Sequence, residues 1–310
     1  MPKFSVIISV YNKEDYIAQT LTSVFAQKIK DFEIVIVNDG STDESEKIIK
    51  SFNSDKIKYF SQENKGASAG RNRAMKEAQG QYLALLDADD IWHEIHLQEI
   101  SSLINEFPSA LVFSTALEIH DKQGKYKANY NGVPDTKNHQ LLDFLKHSYG
   151  APILSGSTTV FNHTVPKKIG FFDERIISGQ DTDYWIRIGL RYKIAFSTTV
   201  TSSYTFVEGS LSQKKFQFKN KTDFSKFDEI AKNNFPLEKY IIINRFSLYL
   251  KCMIVKDYKN AKLLKKKINP NLLSKKQVML LKLSSTQLIT LYRLKELLKK
   301  FNIRLTAFEK

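Results

Sequence analysis

Along the first 90 residues, short runs in which nearly every position is apolar alternate with segments whose apolar residues recur three or four apart. Phe4 to Val10 and Phe32 to Val37 are continuous β-branched runs, with shorter ones at Lys56 to Phe60 and Gln81 to Leu86. Between them, Tyr16 to Ala26 sets Ile17, Leu21, Val24 and Phe25 at helical spacing. Ser41-Thr42-Asp43-Glu44 has the form of a capping box ahead of Ile48, Ile49 and Phe52, and Ala67 to Ala78 reads as a third helix. Strands apolar on both faces, joined to helices by short connections, predict an α/β fold. Its sheet is mostly parallel and flanked by helices on both sides.

Beyond residue 90 the pattern loosens. A helix is expected to start near Trp92 and cover His93 to Glu106, followed by a strand over Ala110 to Ile119. Residues 120–150 are polar and rich in Asn, Lys and Tyr, as in an excursion or lid rather than core. Ser157 to Phe161 is strand-like, and a helix with Trp185, Ile186, Ile188 and Leu190 follows Ser178-Gly179-Gln180-Asp181. From Phe216 onward the chain reads as successive amphipathic helices without a strand.

A chain of 310 residues, 42% hydrophobic and 12% aromatic, is globular and can bury a large core. The single cysteine, Cys252, rules out an intramolecular disulfide and suits a reducing compartment. No signal peptide precedes the first strand, and no apolar stretch approaches the roughly 20 residues of a spanning helix. A cytoplasmic protein is expected. The net charge of +14 is unevenly spread. Residues 1–210 hold 23 Lys+Arg against 26 Asp+Glu, a net −3, whereas residues 211–310 hold 24 against 7, a net +17. A near-neutral body and a basic tail are the expected regions.

The body ends its fourth run in Asp87-Ala88-Asp89-Asp90. Three carboxylates at the end of a buried strand suit a hard divalent cation, though a solvated loop capping the next helix also accounts for them. In an open parallel sheet, Tyr11-Asn12, Asp39 and this cluster all fall at the carboxyl edge, where ligands bind. Asp39 suits a ribose or base contact, or an Asx-turn with Gly40. No Gly-x-Gly-x-x-Gly or P-loop follows any strand, so a diphosphate here needs metal and side-chain cations, and Arg71 is placed to supply one. Asp181 and Asp183 suit a helix N-cap and first turn. His93 and His96, three apart, lack a Cys or Glu at metalloprotease spacing, so exposed helix positions are expected rather than a zinc pair.

Six segments occur in order: Ser5 to Asn12, Val37 to Asp43, Asn64 to Asn72, Leu86 to Asp90, Gly170 to Glu174 and Gln180 to Arg187. Together they resemble a family 2 glycosyltransferase of the GT-A fold over roughly residues 3–212. The resemblance implies a Rossmann-like GT-A domain over 1–212 and a basic helical region over 213–310. It implies an inverting transfer from a nucleotide sugar, UDP-linked, to a hydroxyl of a glycan or lipid-linked acceptor in cell-surface polysaccharide synthesis. Asp39 takes the base-reading role, with Tyr11 and Asn12 lining the same pocket. Asp87, Asp89 and Asp90 form the acidic metal motif, with Asp89 the direct ligand of magnesium or manganese. Arg71 lies near the pyrophosphate, Asp181 is the catalytic base, and Gln180 and Trp185 stand on the acceptor side.

Two departures mark this chain. Gln180 replaces the Glu that commonly precedes the catalytic Asp, and Tyr204 to Ser212 lacks the Arg and His of a Tyr-Arg-x-His stretch, with Val207 among its residues. The Gln-x-x-Arg-Trp element of processive synthases is absent, which favours transfer of one or a few sugars. Rival readings are a nucleotidyltransferase, which needs a glycine-rich phosphate loop that Tyr11-Asn12-Lys13 is not, and an inactive binding module. In the tail, Leu288, Leu291, Leu294, Leu298 and Phe301 share one helical face beside Arg293, Lys295, Lys299 and Lys300. Packing on the body or on a second subunit of a homo-oligomer fits this face. So does docking on an anionic membrane, with the protein peripheral at the inner face of the plasma membrane. No nucleic-acid module accompanies the charge.

Overall fold

The computed structural model describes residues 1–121, 124–130, 132–134, 137–205 and 216–299. The first four strands are β1 (Phe4–Val10), β2 (Phe32–Asp39), β3 (Ile57–Gln62) and β4 (Tyr82–Leu85). They enclose α1 (Ile17–Phe25), α2 (Ser45–Ser51) and α3 (Ala67–Glu77). There follow β5 (Ile91–Trp92), α4 (His96–Glu106), β6 (Val112–Asp121), β7 (Gly124–Lys127), β8 (His139–Leu142) and α5 (Phe144–His147). Next come β9 (Val160–Asn162), α6 (Thr164–Ile169), α7 (Gln180–Gly189) and β10 (Ile194–Thr205). The remaining helices are α8 (Asp228–Ala231), α9 (Phe235–Ile254), α10 (Tyr258–Lys266), α11 (Lys275–Lys282) and α12 (Ser285–Lys299).

The ten strands form one sheet in the order β3-β2-β1-β4-β9-β6-β10-β5, with β7 on β6 and β8 on β10. β1, β2, β3 and β4 run parallel, as do β6 and β10, whereas β9 joins the two groups antiparallel to both β4 and β6. Each face of the sheet carries its own core. Val6, Ile8, Ile34 and Ile36 pack with α1 and α4, while Ile7, Val35, Leu83 and Leu85 join α3, α7 and α9. Burial on both faces is why these strands read as unbroken apolar runs. The sheet and helix layers match the α/β expectation.

Several local expectations change. Trp92 lies on a strand pairing with β10, and the helix opens only at His96. The side chain of Gln27, fully buried, sets that boundary by donating to His93 O and accepting from Leu97 N–H. His96 is buried, not exposed: it stacks on Trp92 at 4.2 Å and its Nδ1 lies 2.7 Å from Thr201 Oγ1. Burial drives its pKa down to about 3, so it is a neutral core residue. His93, just ahead of the helix, bonds Ser203. Nor is the 120–150 stretch all excursion, since Leu142, Phe144 and Leu145 are in the core.

The longest strand, β10, has no counterpart in the sequence expectations. Its Ser and Thr residues look loop-like, but in the sheet they satisfy one another: Thr201 meets Thr115, and Ser203 donates to Glu118. The basic region also reaches inward. Leu237, Tyr240, Ile241 and Phe246 of α9 belong to the core under the sheet, and Tyr240 meets Phe144 edge-on at 5.3 Å. On α12, Leu288 is buried while Leu291, Tyr292, Leu294 and Leu297 are exposed. Phe301, Lys300 and the Phe206 to Ser212 stretch with Val207 lie outside the described residues.

Candidate active site at the carboxyl edge of the sheet

The turns after β1 and β2 are zipped together. Backbone N–H groups of Asn12, Lys13 and Glu14 donate to Ser41 Oγ, Ser45 Oγ and Asp43 Oδ2, at 3.0, 2.7 and 3.0 Å. In return Asn12 Oδ1 accepts from Thr42 N and Glu14 Oε2 from Glu44 N. Asn12, at φ +49°, takes the left-handed backbone that brings its side chain across. Ser41 is therefore spent on this clamp rather than on a capping box, while Asp43 serves it through Oδ2 and accepts from Ser45 N, at the start of α2, through Oδ1. Tyr11 stands 45% exposed at the rim.

Asp39 is 1% exposed. Its Oδ1 accepts from Gln62 Nε2 and Lys65 N, and its Oδ2 accepts from Gly66 N at 2.7 Å. It thus anchors the loop leading into α3, and the turn at Gly40 is closed instead by Asn38, whose Oδ1 accepts from Ser41 N. α3 itself lies hard against β1, for a Cβ on Gly70 would collide with Ser9 Oγ. That close approach carries Arg71 under the acidic loop.

Arg71 is the hub. Its Nη2 donates to Asp87 Oδ1 at 2.5 Å and its Nη1 to Asp181 Oδ1 at 3.1 Å, while its guanidinium lies over the Phe172 ring. Burial opposes this cation, but Asp87 and Asp181 outweigh burial and raise its pKa. The neighbouring Asn72 pairs reciprocally with the backbone of Phe172 and also donates to Glu174, which fixes the segment leading to α7. Asp181 sits in the first turn of α7. The N-cap is Gly179, so Asp181 is not the capping residue expected from the sequence. Burial pushes its carboxyl above the ordinary value, with Arg71 pulling the other way.

The three aspartates of the acidic loop diverge. Asp89 Oδ2 accepts from Lys13 Nζ at 2.5 Å, a contact that no motif marks. Asp90 turns inward at 2% exposure, with Oδ2 accepting from Ser157 Oγ and Oδ1 from Thr205 N. Those bonds tie the loop to β10 and engage both oxygens of Asp90, which the resemblance assigned to the metal motif. Ser157 Oγ also accepts from Asp87 N, so one hydroxyl organises the whole loop. Gly156 approaches so closely that a Cβ there would stand 2.6 Å from Asp87 Oδ2. Gln180 is 7% exposed, and its Oε1 has no partner among the described residues. Trp185, expected on the acceptor side, is 3% exposed and packs against Phe172 and Tyr184 in the core. The indole faces inward because α7 turns its apolar stripe to the sheet.

Asp87 and Asp89 fit a hard divalent cation. Burial and the Asp87 charge raise the Asp89 pKa despite Lys13, so a cation bound there would favour the charged carboxylate. Among the described residues no third His, Cys, Asp or Glu joins them as a ligand group. A magnesium or manganese ion here would be held by Asp87 and Asp89, with room for oxygens of donor phosphates and water.

Residues 5–170 match the family described as Glycosyl transferase family 2, which is more than half of the chain. The chain belongs to this family. Among its relatives is an uncharacterized glycosyltransferase of Rickettsia bellii, 32% identical over 191 residues, covering 61% of this chain and 26% of that protein. The chain spans between 26% and 58% of the length of the first Rickettsia relatives it matches. Escherichia coli WfaP, a UDP-Glc:alpha-D-GlcNAc-diphosphoundecaprenol beta-1,3-glucosyltransferase, is 28% identical over 225 residues, covering 70% of this chain and 82% of WfaP. The crystal structure of S. aureus TarS 1–349 in complex with UDP-GlcNAc superposes with a TM-score of 0.66 at 20% identity. It covers 96% of this chain and 92% of that one, so the likeness in fold extends through the C-terminal helices.

Proposed function

We propose that this family 2 member transfers a sugar, with inversion, from a UDP-sugar to a hydroxyl of a glycan or lipid-linked acceptor in surface polysaccharide synthesis. The observation that carries the proposal is the Arg71 bridge. One buried guanidinium holds Asp87, at the donor-side loop, and Asp181, from an element 110 positions away in the chain, at a single sheet edge. The UDP-sugars in the names of WfaP and of the TarS complex support the choice of donor, and the diphosphoundecaprenol in the name of WfaP supports a lipid-linked acceptor.

In this proposal the acceptor oxygen attacks the anomeric carbon from the side opposite the diphosphate. The bond from that carbon to the diphosphate oxygen breaks, and the acceptor proton passes to Asp181. A carboxyl whose pKa is raised by burial is the better proton acceptor. Arg71 faces the charge that grows on the leaving group. A divalent cation held by Asp89 and Asp87, when bound, supplies further neutralisation of that diphosphate. Tyr11 and Asn12 border the donor pocket, and Asp39 shapes it through the loop that it anchors. The chain acts at the inner membrane face, where exposed Leu291, Leu294 and Leu297 of α12 meet lipid beside Arg293 and Lys295. Among the described residues no helix is long and apolar enough to cross a membrane.

Release of UDP from nucleotide sugars, measured with manganese and varied acceptors, tests the reaction. Absence of release from every donor would sink it and leave a binding module. Asp181→Asn is expected to bind UDP within about twofold of the parent and to lose about 10³-fold in transfer. Transfer at the parent rate would remove Asp181 from the base role.

A further inference from the structure

A cavity of about 460 Å³ opens beside the start of α7, with neither Asp87 nor Asp89 in its lining. Its wall carries Asp173, Arg175, Lys219, Lys221, Asp223 and Lys226. Most of these charges are already matched. Arg175 holds Asp173 through two bonds of 2.9 Å, which keeps that carboxyl down to about 2. Lys226 pairs with Asp183, and Asp223 is met by Ser225 and by Lys267. Lys219 and Lys221 have no carboxylate partner among the described residues. Lys221 is half-buried, and its ammonium donates to Ser178 Oγ.

The cavity is fastened to the candidate base. Ser178 N–H donates to Asn220 O at 2.9 Å, and Ser178 and Lys221 form a parallel bridge. The Thr222 methyl lies 3.9 Å from where a Cβ of Gly179 would stand, two residues before Asp181. An anion against Lys221 therefore lies beside the start of α7, the helix that carries Asp181. A half-buried lysine that burial and Lys251 push below its ordinary pKa gains from an anionic partner. The volume suits a sugar ring with one charged substituent.

We propose that this cavity is an acceptor subsite for a phosphate ester, with Lys221 and Lys219 binding a phosphate carried by the acceptor while its hydroxyl meets Asp181. It rests on the glycosyltransferase reading above, which places the acceptor on the Asp181 side. A phosphate offers two or more charged or polar oxygens that two lysines can share from separate directions, whereas a uronic acid offers one planar carboxylate that suits a guanidinium better.

The test is ligand-observed NMR on the full chain with UDP saturating the donor site. The ligands are N-acetylglucosamine 1-phosphate, as at the end of a lipid-linked sugar, and glycerol 3-phosphate, as in a phosphate-linked polymer. At least one is expected to bind, about tenfold more weakly to Lys221→Met and near the parent affinity to Lys221→Arg. The tighter of the two identifies the source of the phosphate. Equal binding to Lys221→Met, binding of neither ligand at millimolar concentration, or glucuronic acid binding as well as the phosphates would each overturn the proposal. UDP affinity, read in the same samples, reports folding of the variants. Loss of UDP binding by the parent counts against the enzyme reading, whereas loss of phosphate binding with UDP intact counts against this subsite alone.

Discussion

The strand-end loops of the sheet and the helices after residue 216 are both rich in charge, yet they handle it in opposite ways. In the loops each charge is matched in place: Arg71 between Asp87 and Asp181, Lys13 on Asp89, Asp90 under Ser157 and Thr205 N. In the helices, lysines far outnumber carboxylates, and many project to solvent. A buried charge fixes position because it costs several kcal/mol to leave it unpaired. An exposed excess fixes nothing locally and acts instead as a long-range field.

Changing Arg71 should expose this difference most. Arg71→Met leaves two partly buried carboxylates without their cation, and is expected to cost about 3 kcal/mol in chemical denaturation. Transfer should be lost with it. Arg71→Lys should recover part of the stability but little activity, because one ammonium cannot reproduce the two-armed contact. Stability of Arg71→Met equal to the parent would show that the bridge is solvated rather than structural.

Removing the hydroxyl that organises the acidic loop is a smaller perturbation. Ser157→Ala deprives Asp90 Oδ2 and Asp87 N of a partner, and about 1.5 kcal/mol should be lost at neutral pH. Burial and the Asp87 charge hold the Asp90 carboxyl well above its ordinary value of 3.8, although Ser157 pulls it down. The variant should therefore lose less stability at low pH, where Asp90 is protonated in both proteins. A pH-independent difference would assign the cost to Asp87 N instead.

A third change sits at the edge of the sheet. His139 lies between Glu99 and Glu106, at 2.8 and 2.6 Å, and joins β8 to α4. Burial opposes its charge, but the two carboxylates win and raise its pKa above 6.5. Its contribution is full below that ordinary value and fades as pH rises through the raised one. Glu99, lowered from 4.5 by Ser197 and His139 in spite of burial, contributes above 4.5 and fades as pH falls through its lowered value. The cost of His139→Gln, about 1 kcal/mol, should thus peak between those two ordinary values and shrink toward alkaline pH. A cost that grows at high pH would contradict the pairing.

The mildest effect on stability belongs to the helices. Arg293→Glu with Lys295→Glu on α12 should move stability by no more than about 0.5 kcal/mol. Binding to anionic vesicles should nevertheless fall at least about tenfold. Unchanged vesicle binding, or a change in oligomeric state instead, would point to a second subunit as the partner of this face.

The long parallel half of the sheet was legible because its strands are buried on both faces, which leaves almost no polar position in Val6 to Val10 or Ile34 to Val37. β10 was not, since its Ser and Thr hydroxyls find partners only across strands and look like loop chemistry until those strands are paired. Motif order located Arg71, Asp87, Asp89 and Asp181 along the chain but left their contacts undetermined. Lys13 and Ser157 escaped notice because neither residue type nor spacing marks them out.

The sequence by itself determined the layered α/β arrangement and the membership of the chain in its family, because apolar periodicity and motif order are properties of the chain alone. Only the tertiary structure decided what each polar side chain is used for. Asp39, Asp90 and Trp185 stand in motifs of the family, yet each points into the protein, the two aspartates held by donors from other segments and Trp185 by the packing of α7 on the core. A carboxylate will bond whichever donor folding brings within about 3 Å, and that choice is made by packing between elements remote in sequence.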